Sequence, residues 1–230
     1  MNKTNVIAAL LVAVSICILG FCIKAGIDNF AFRDRVVTVR GLAERTVDAD
    51  YVTWPMTYSL AGNDLTELYN QMTANNAAVV KFLTANGLSR EEISVNPPDL
   101  YNSSSNIYGS DRPRYAYTLT VNITVASTKV AKVRELLARQ SELLKEGVAV
   151  SNNYINYQFR GLNTIKPEMI AEATKNARIA ADQFAKDSSS KVGKIKTASQ
   201  GQFSIEDTDQ STPQRKNVRV VSTIVYYLED

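Results

Sequence analysis

Histidine is absent from the chain, and its two cysteines, Cys17 and Cys22, both fall in one apolar run near the N-terminus. The rest of the sequence therefore has no means of building a disulfide framework, a thiolate nucleophile or a cysteine metal site. Histidine zinc sites, Ser-His-Asp triads and imidazole acid-base chemistry are excluded with them. Charge of neither sign dominates: of 26 basic residues, Lys3 precedes the apolar run, leaving 25 against 23 acidic ones, a balance of +2. No basic cluster interleaved with aromatics stands out, so a nucleic-acid partner has no support. The "RGLA" at Arg40 to Ala43 has one glycine and no phosphate-cradling spacing, and a strand-turn role is expected for Gly41. Glu44, Asp48 and Asp50 lack a glycine-bearing calcium-loop pattern and read as surface and turn residues, so no metal is expected. Ser103, Ser104 and Ser105 have no base beside them and read as loop residues.

What is present begins with Val6 to Ile23, 18 residues without a charge. As a helix it is roughly 27 Å long, just enough to cross a bilayer core. A cleaved signal would require small residues at its end, whereas Phe21 is bulky; lipid attachment at either cysteine meets bulky Ile16 or Phe21. Residues 1–30 are therefore expected to form an uncleaved anchor and linker, contacting membrane through residues 6–23, with a cleaved or lipidated form as the alternative. Lys24, Arg33 and Arg35 after the run argue for an inward-facing domain. Large domains translocate with little regard to charge, so an extracytoplasmic, periplasmic location is expected for residues 31–230.

Val36 to Val39 reads as a first strand, and a polar segment leads from it to Val47 to Ala61. There Val52, Trp54, Met56, Tyr58 and Leu60 share the face bound for the core. Pro55, on the other face, cannot donate to a ladder, which predicts an edge strand or bulge. Asp64 followed by Glu67 reads as a capping-box N-terminus, and Leu65, Leu68, Tyr69, Met72, Val79 and Leu83 predict an amphipathic helix ended by Asn86-Gly87-Leu88. Ile93 and Val95 open a strand, and a polar tip follows over 100–114. Tyr115, Tyr117, Leu119, Val121, Ile123 and Val125 then alternate with polar residues, as in an antiparallel sheet covered on one face. Apolar spacing from Val130 to Leu144 predicts a helix over 128–146, and Val148 to Phe159 a strand. A third helix is predicted from Lys166-Pro167-Glu168, with Met169, Ala173, Ala177, Ala180 and Phe184 as its inner stripe. Val192 to Phe203 and Val218 to Leu228 complete the chain as strands around a second polar tip.

The expected class is α+β: two β-α-β-β-like halves, about 36–127 and 147–230, joined by helix 128–146. Mainly antiparallel sheet would carry long helices on one face, preceded by an N-terminal transmembrane helix. An internal duplication explains the order economically, and periodicity leaves open whether one sheet or two result.

"VVTVRGLAERTVDADYVTWPMTY", the helix after "GNDL" and the later "AEATKNARIAADQFAKDSSSKVGKIKTASQ" resemble the SIMPL-domain family, a domain of unknown function, over approximately Val36 to Leu228. The resemblance implies a bacterial periplasmic, secreted or membrane-anchored protein, with some relatives linked to oxidative stress and some to large homo-oligomers. It brings no catalytic set and no cofactor. The serines of "DSSSKVGKI" depart from the family's more usual leucine- or glycine-containing turn.

Tyrosine offers a large contact area with a polar tip, so the first hairpin tip is the candidate protein-contact surface, with Tyr101, Asn102, Tyr108, Arg112 and Arg114 as its residues. Trp54 is expected in the core, its indole N–H in need of one partner. The leading expectation is a non-enzymatic, membrane-anchored envelope protein that self-assembles or binds a partner, with no cofactor and a possible tie to stress response. The alternative is a ligand-binding protein or carboxylate hydrolase with a pocket between the halves.

Overall fold

A computed structural model describes residues 3–31, 35–103, 114–151 and 154–229. It is a mixed α/β structure with antiparallel pairing. Helix α1 spans Lys3–Ala31 and displays Leu11, Ile16, Leu19 and Phe21 on its surface. The expected span begins at Val6, on residues whose side chains lie outside those described. Among the described residues no helix is long and apolar enough to cross a membrane.

The chain divides into two compact units: Met1–Arg45, Ile165–Ser204 and Val218–Asp230 form the first, Thr46–Thr164 and Ile205–Asn217 the second.

In the second unit β2 (Tyr51–Gly62) runs antiparallel to β5 (Tyr117–Ser127), in register from Val52 opposite Ser127 to Gly62 opposite Tyr117. Strands β3 (Ile93–Val95) and β4 (Asp99–Asn102) pair with β5, and β6 (Asn156–Gln158) pairs with β2. Val52, Trp54, Met56 and Tyr58 meet Leu119, Val121, Ile123 and Val125 in the core, as the alternation predicts. Leu60 is only partly buried, and Tyr115 and Tyr117 stand outside the core where the sheet runs out. Val79 and Leu83 of α2 (Leu65–Ala85) and Val133 and Leu136 of α3 (Val130–Ala138) close this core. Each such fully buried side chain contributes about 1.5–3 kcal/mol. Asp64 caps α2 by accepting from Thr66 N and Glu67 N. The helix ends in a Schellman motif, Leu88 N donating to Leu83 O and Gly87 N to Thr84 O, with Gly87 at φ +96°.

Several boundaries differ from the sequence reading. The first strand, expected over Val36 to Val39, continues as β1 (Val36–Asp48), and β2, expected from Val47, begins at Tyr51, because tertiary bonds claim the residues between them. Ala49 N donates to Gln214 O, and the Asp50 carboxylate accepts from Arg160 N and Gly161 N at 2.7 Å each. Pro55 lies in an interior strand rather than an edge or bulge. On the β6 flank it falls between the rung at Thr53 and the bridge of Thr57 to Ser151, where no rung exists among the described residues. The helix expected over 128–146 breaks at Arg139 into α3 and the 3₁₀ turn Gln140–Glu146. The Arg139 guanidinium there bonds Glu142 and Asn86 Oδ1, and Gly147 at φ +81° ends the turn. Among the described residues the strand expected over 148–159 reduces to β6 and one bridge.

In the other sheet the order is β1, β9 (Arg215–Glu229), β7 (Lys191–Gln200), with β8 (Ser204–Asp207) also paired to β9. This repeats the order β2, β5, β3, and α4 (Leu162–Asp187) precedes β7 as α2 precedes β3. The place of β2 is taken here by β1, while the segment before α4 contributes β6 to the sheet of β2. Helix α4 starts one turn before Lys166, leaving Pro167 inside it. Its buried stripe is Met169, Ala173, Ala177, Ala181 and Ala185; Phe184 is 60% exposed and Ala180 only partly buried. A strict four-residue step, alanine from Ala173 onward, fits a helix pressed closely along a strand. Gly41 permits that approach. It lies inside β1 rather than in a turn, and a Cβ there would collide with Ala173 O and stand 2.5 Å from Ala177 N.

Candidate functional site

A cavity of about 920 Å³ lies entirely among residues of the second unit. One wall is the first turn of α3, whose sequence Lys129-Val130-Ala131-Lys132 is unusual for a helix start. It has no acidic residue in its first turn and no side-chain cap, and places cations where the helix dipole is positive.

A partly buried carboxylate underlies that turn. Glu92 Oε1 accepts from Ser127 Oγ at 2.6 Å, while its Oε2 accepts from Ser89 N at 2.7 Å and Lys129 Nζ at 3.0 Å. Burial alone would raise the Glu92 pKa, but the hydroxyl, backbone and ammonium donors outweigh it and hold the group at about 2. Ser127 Oγ accepts in turn from Lys129 N, and Lys129 Nζ also donates to Gly87 O at 3.1 Å. Strand end, loop and helix start are thereby pinned together. The remaining walls carry Arg134 and Arg215, with Asp48 the only acidic residue lining the cavity. Lys132 pairs with Glu135 at 2.9 Å. Among the described residues no carboxylate pairs with Arg134 or Arg215. The cavity thus displays unspent N–H donors, suited to an anion.

Of the contact residues read from the sequence, Tyr101 and Asn102 lie in β4 rather than a loop, Asn102 opposite Tyr117. Tyr101 is 55% exposed, and Leu100 and Tyr115 are exposed with it. Arg114 stacks on Tyr115, its guanidinium carbon 5.5 Å from the ring centre. Tyr108 and Arg112 lie outside the described residues, as do Ser104 and Ser105. Trp54 is fully buried, yet its Nε1 has no hydrogen-bond partner among the described residues, against the expectation of one. The three early acids serve separately: Glu44 pairs with Arg219 at 3.2 Å, Asp48 lines the cavity and Asp50 caps Arg160 and Gly161.

The sequence reading missed the cationic cavity, because its walls join Asp48 and Arg215 to the distant stretch that carries Lys129, Lys132 and Arg134. The usable signal was the lysine-bearing helix start itself.

Antiparallel sheets carrying long helices define a mixed α/β domain. The family model for SIMPL, a protein of unknown function (DUF541), matches residues 37–225, and the chain belongs to that family. None of the curated proteins compared with it matches.

Proposed function

We propose that the protein is a non-enzymatic, membrane-anchored envelope protein of the SIMPL type that assembles with copies of itself through strand edges, its folded part outside the cytoplasm. The observation that carries this reading is β7. It ends its sheet, pairs with β9, and every residue from Lys194 to Gln200 is exposed. Such an edge offers unpaired backbone groups to a second chain. Lys191, Lys194 and Lys196 tune the edge against indiscriminate pairing, while half-exposed Ile195 gives a specific partner an apolar contact. Exposed Leu100, Tyr101 and Tyr115 add an aromatic surface of the kind enriched at interfaces. The charge-free run at 6–23 supports anchoring, and the family resemblance extends the proposal to a stress-linked role.

The test is the mass of the full chain in neutral detergent by light scattering, for the native protein, Thr197→Pro and Tyr101→Ser. A discrete oligomer that Thr197→Pro lowers supports assembly through β7, and one that Tyr101→Ser lowers transfers the interface to the hairpin. A monomer throughout refutes self-assembly.

A further inference from the structure

We propose that the cavity beside α3 is a binding site for a small organic anion carrying a phosphate or carboxylate head. The inference is independent of assembly through β7. It rests on the cavity and on what its walls leave unsatisfied. Four of the chain's 26 basic residues, Lys129, Lys132, Arg134 and Arg215, line it, against one acid, Asp48. Glu92 and Glu135 each engage one lysine, and neither guanidinium has a carboxylate partner among the described residues. A guanidinium presents five donors in a planar fork that matches carboxylate and phosphate oxygens two at a time. Two unpaired forks in one cavity, flanked by lysines, attract oxyanions more strongly than isolated surface charges do, since a concave wall focuses the field.

Size and lining specify the ligand further. About 920 Å³ far exceeds a bare phosphate and is the volume of a site for a small organic molecule. Ala49, Val130 and Ala131 give the cavity an apolar stretch for a carbon skeleton. Lys129 is held by Glu92 and Gly87 O, so one cation of the site is preorganised before any ligand arrives.

The experiment is calorimetric titration of the full chain in neutral detergent with inorganic phosphate and, separately, citrate. Native protein should bind at least one of them saturably, and the tighter of the two identifies the head group. The double variant Arg134→Gln, Arg215→Gln should bind at least tenfold more weakly, with its ligand-free melting temperature unchanged because both side chains are exposed. Lys194→Gln, in β7, should leave binding as it is. The proposal is overturned if neither anion binds saturably, or if the double variant binds as tightly as the native chain.

Discussion

Replacing Gly41 by alanine should be among the most damaging single-methyl additions this protein can receive. The new Cβ would fall inside the contact distance of Ala173 O, 2.5 Å from Ala177 N and 2.8 Å from Ala177 Cβ. Carbon atoms pack best at about 3.5–4.0 Å, so α4 would have to retreat by about 1 Å, and a gap of that size forfeits a quarter to a half of each contact's dispersion energy. Backbone atoms form most of the obstacle, and no side-chain rotation relieves it. The stripe Met169, Ala173, Ala177, Ala181 and Ala185 would loosen together. The cost should reach about 3 kcal/mol, the upper part of the range for an overpacked interior. Hydrogen exchange of α4 amides, read by mass spectrometry on the full chain, would then accelerate roughly 100-fold. Gly193→Ala is the control: the atoms nearest its Cβ belong to the Glu229 side chain, which can swing aside. Exchange in α4 that Gly41→Ala leaves unchanged would refute the claim that a bare backbone sets the helix-to-strand distance.

Two further outcomes follow from local geometry. Glu92 is held at about 2, below its ordinary 4.5, so the stabilisation it provides is complete above pH 4.5 and is lost as pH falls through 2. Glu92→Gln should cost about 1–3 kcal/mol near neutral pH and flatten that acid limb, as read from the fluorescence of the sole tryptophan, Trp54, during urea unfolding; an unaltered acid limb would contradict the assignment. Ser189, at φ +54°, occupies the left-handed position after α4, with Ser190 N donating to Ala185 O and Ser189 N to Lys186 O. Ser189→Gly should stabilise the end of α4 by about 0.5–1 kcal/mol, seen as slower exchange at Ser190; faster exchange there would show that the serine carries no backbone strain.

Legibility followed the range of the forces involved. The inward face of β2, the cap at Asp64, the stop at Asn86-Gly87-Leu88 and the alternation of β5 were all readable, because each depends on residues a few positions apart. The Trp54 N–H left without a partner among the described residues, the role of Gly41 and the C-terminal half of the α4 stripe, beyond the correctly read Met169, Ala173 and Ala177, were not. Each is decided by what another element presents across a contact. A helix stripe read from composition favoured bulky Phe184, whereas a glycine-bearing strand selected the alanines.

By itself, the sequence determined the family, the α-and-β character, the exclusion of histidine and cysteine chemistry from the folded part, and the positions of its strongest elements. These properties depend on residue identity and short-range periodicity. Only the tertiary structure decided that β1 fills in its sheet the place that β2 fills in the other, and that Asp50 caps Arg160 and Gly161 from more than a hundred residues away. It alone brought Lys129, Lys132, Arg134 and Arg215 around one cavity. Strand partnership, distant capping and the convergence of charge belong to the folded arrangement, since they require groups far apart along the chain to meet in space.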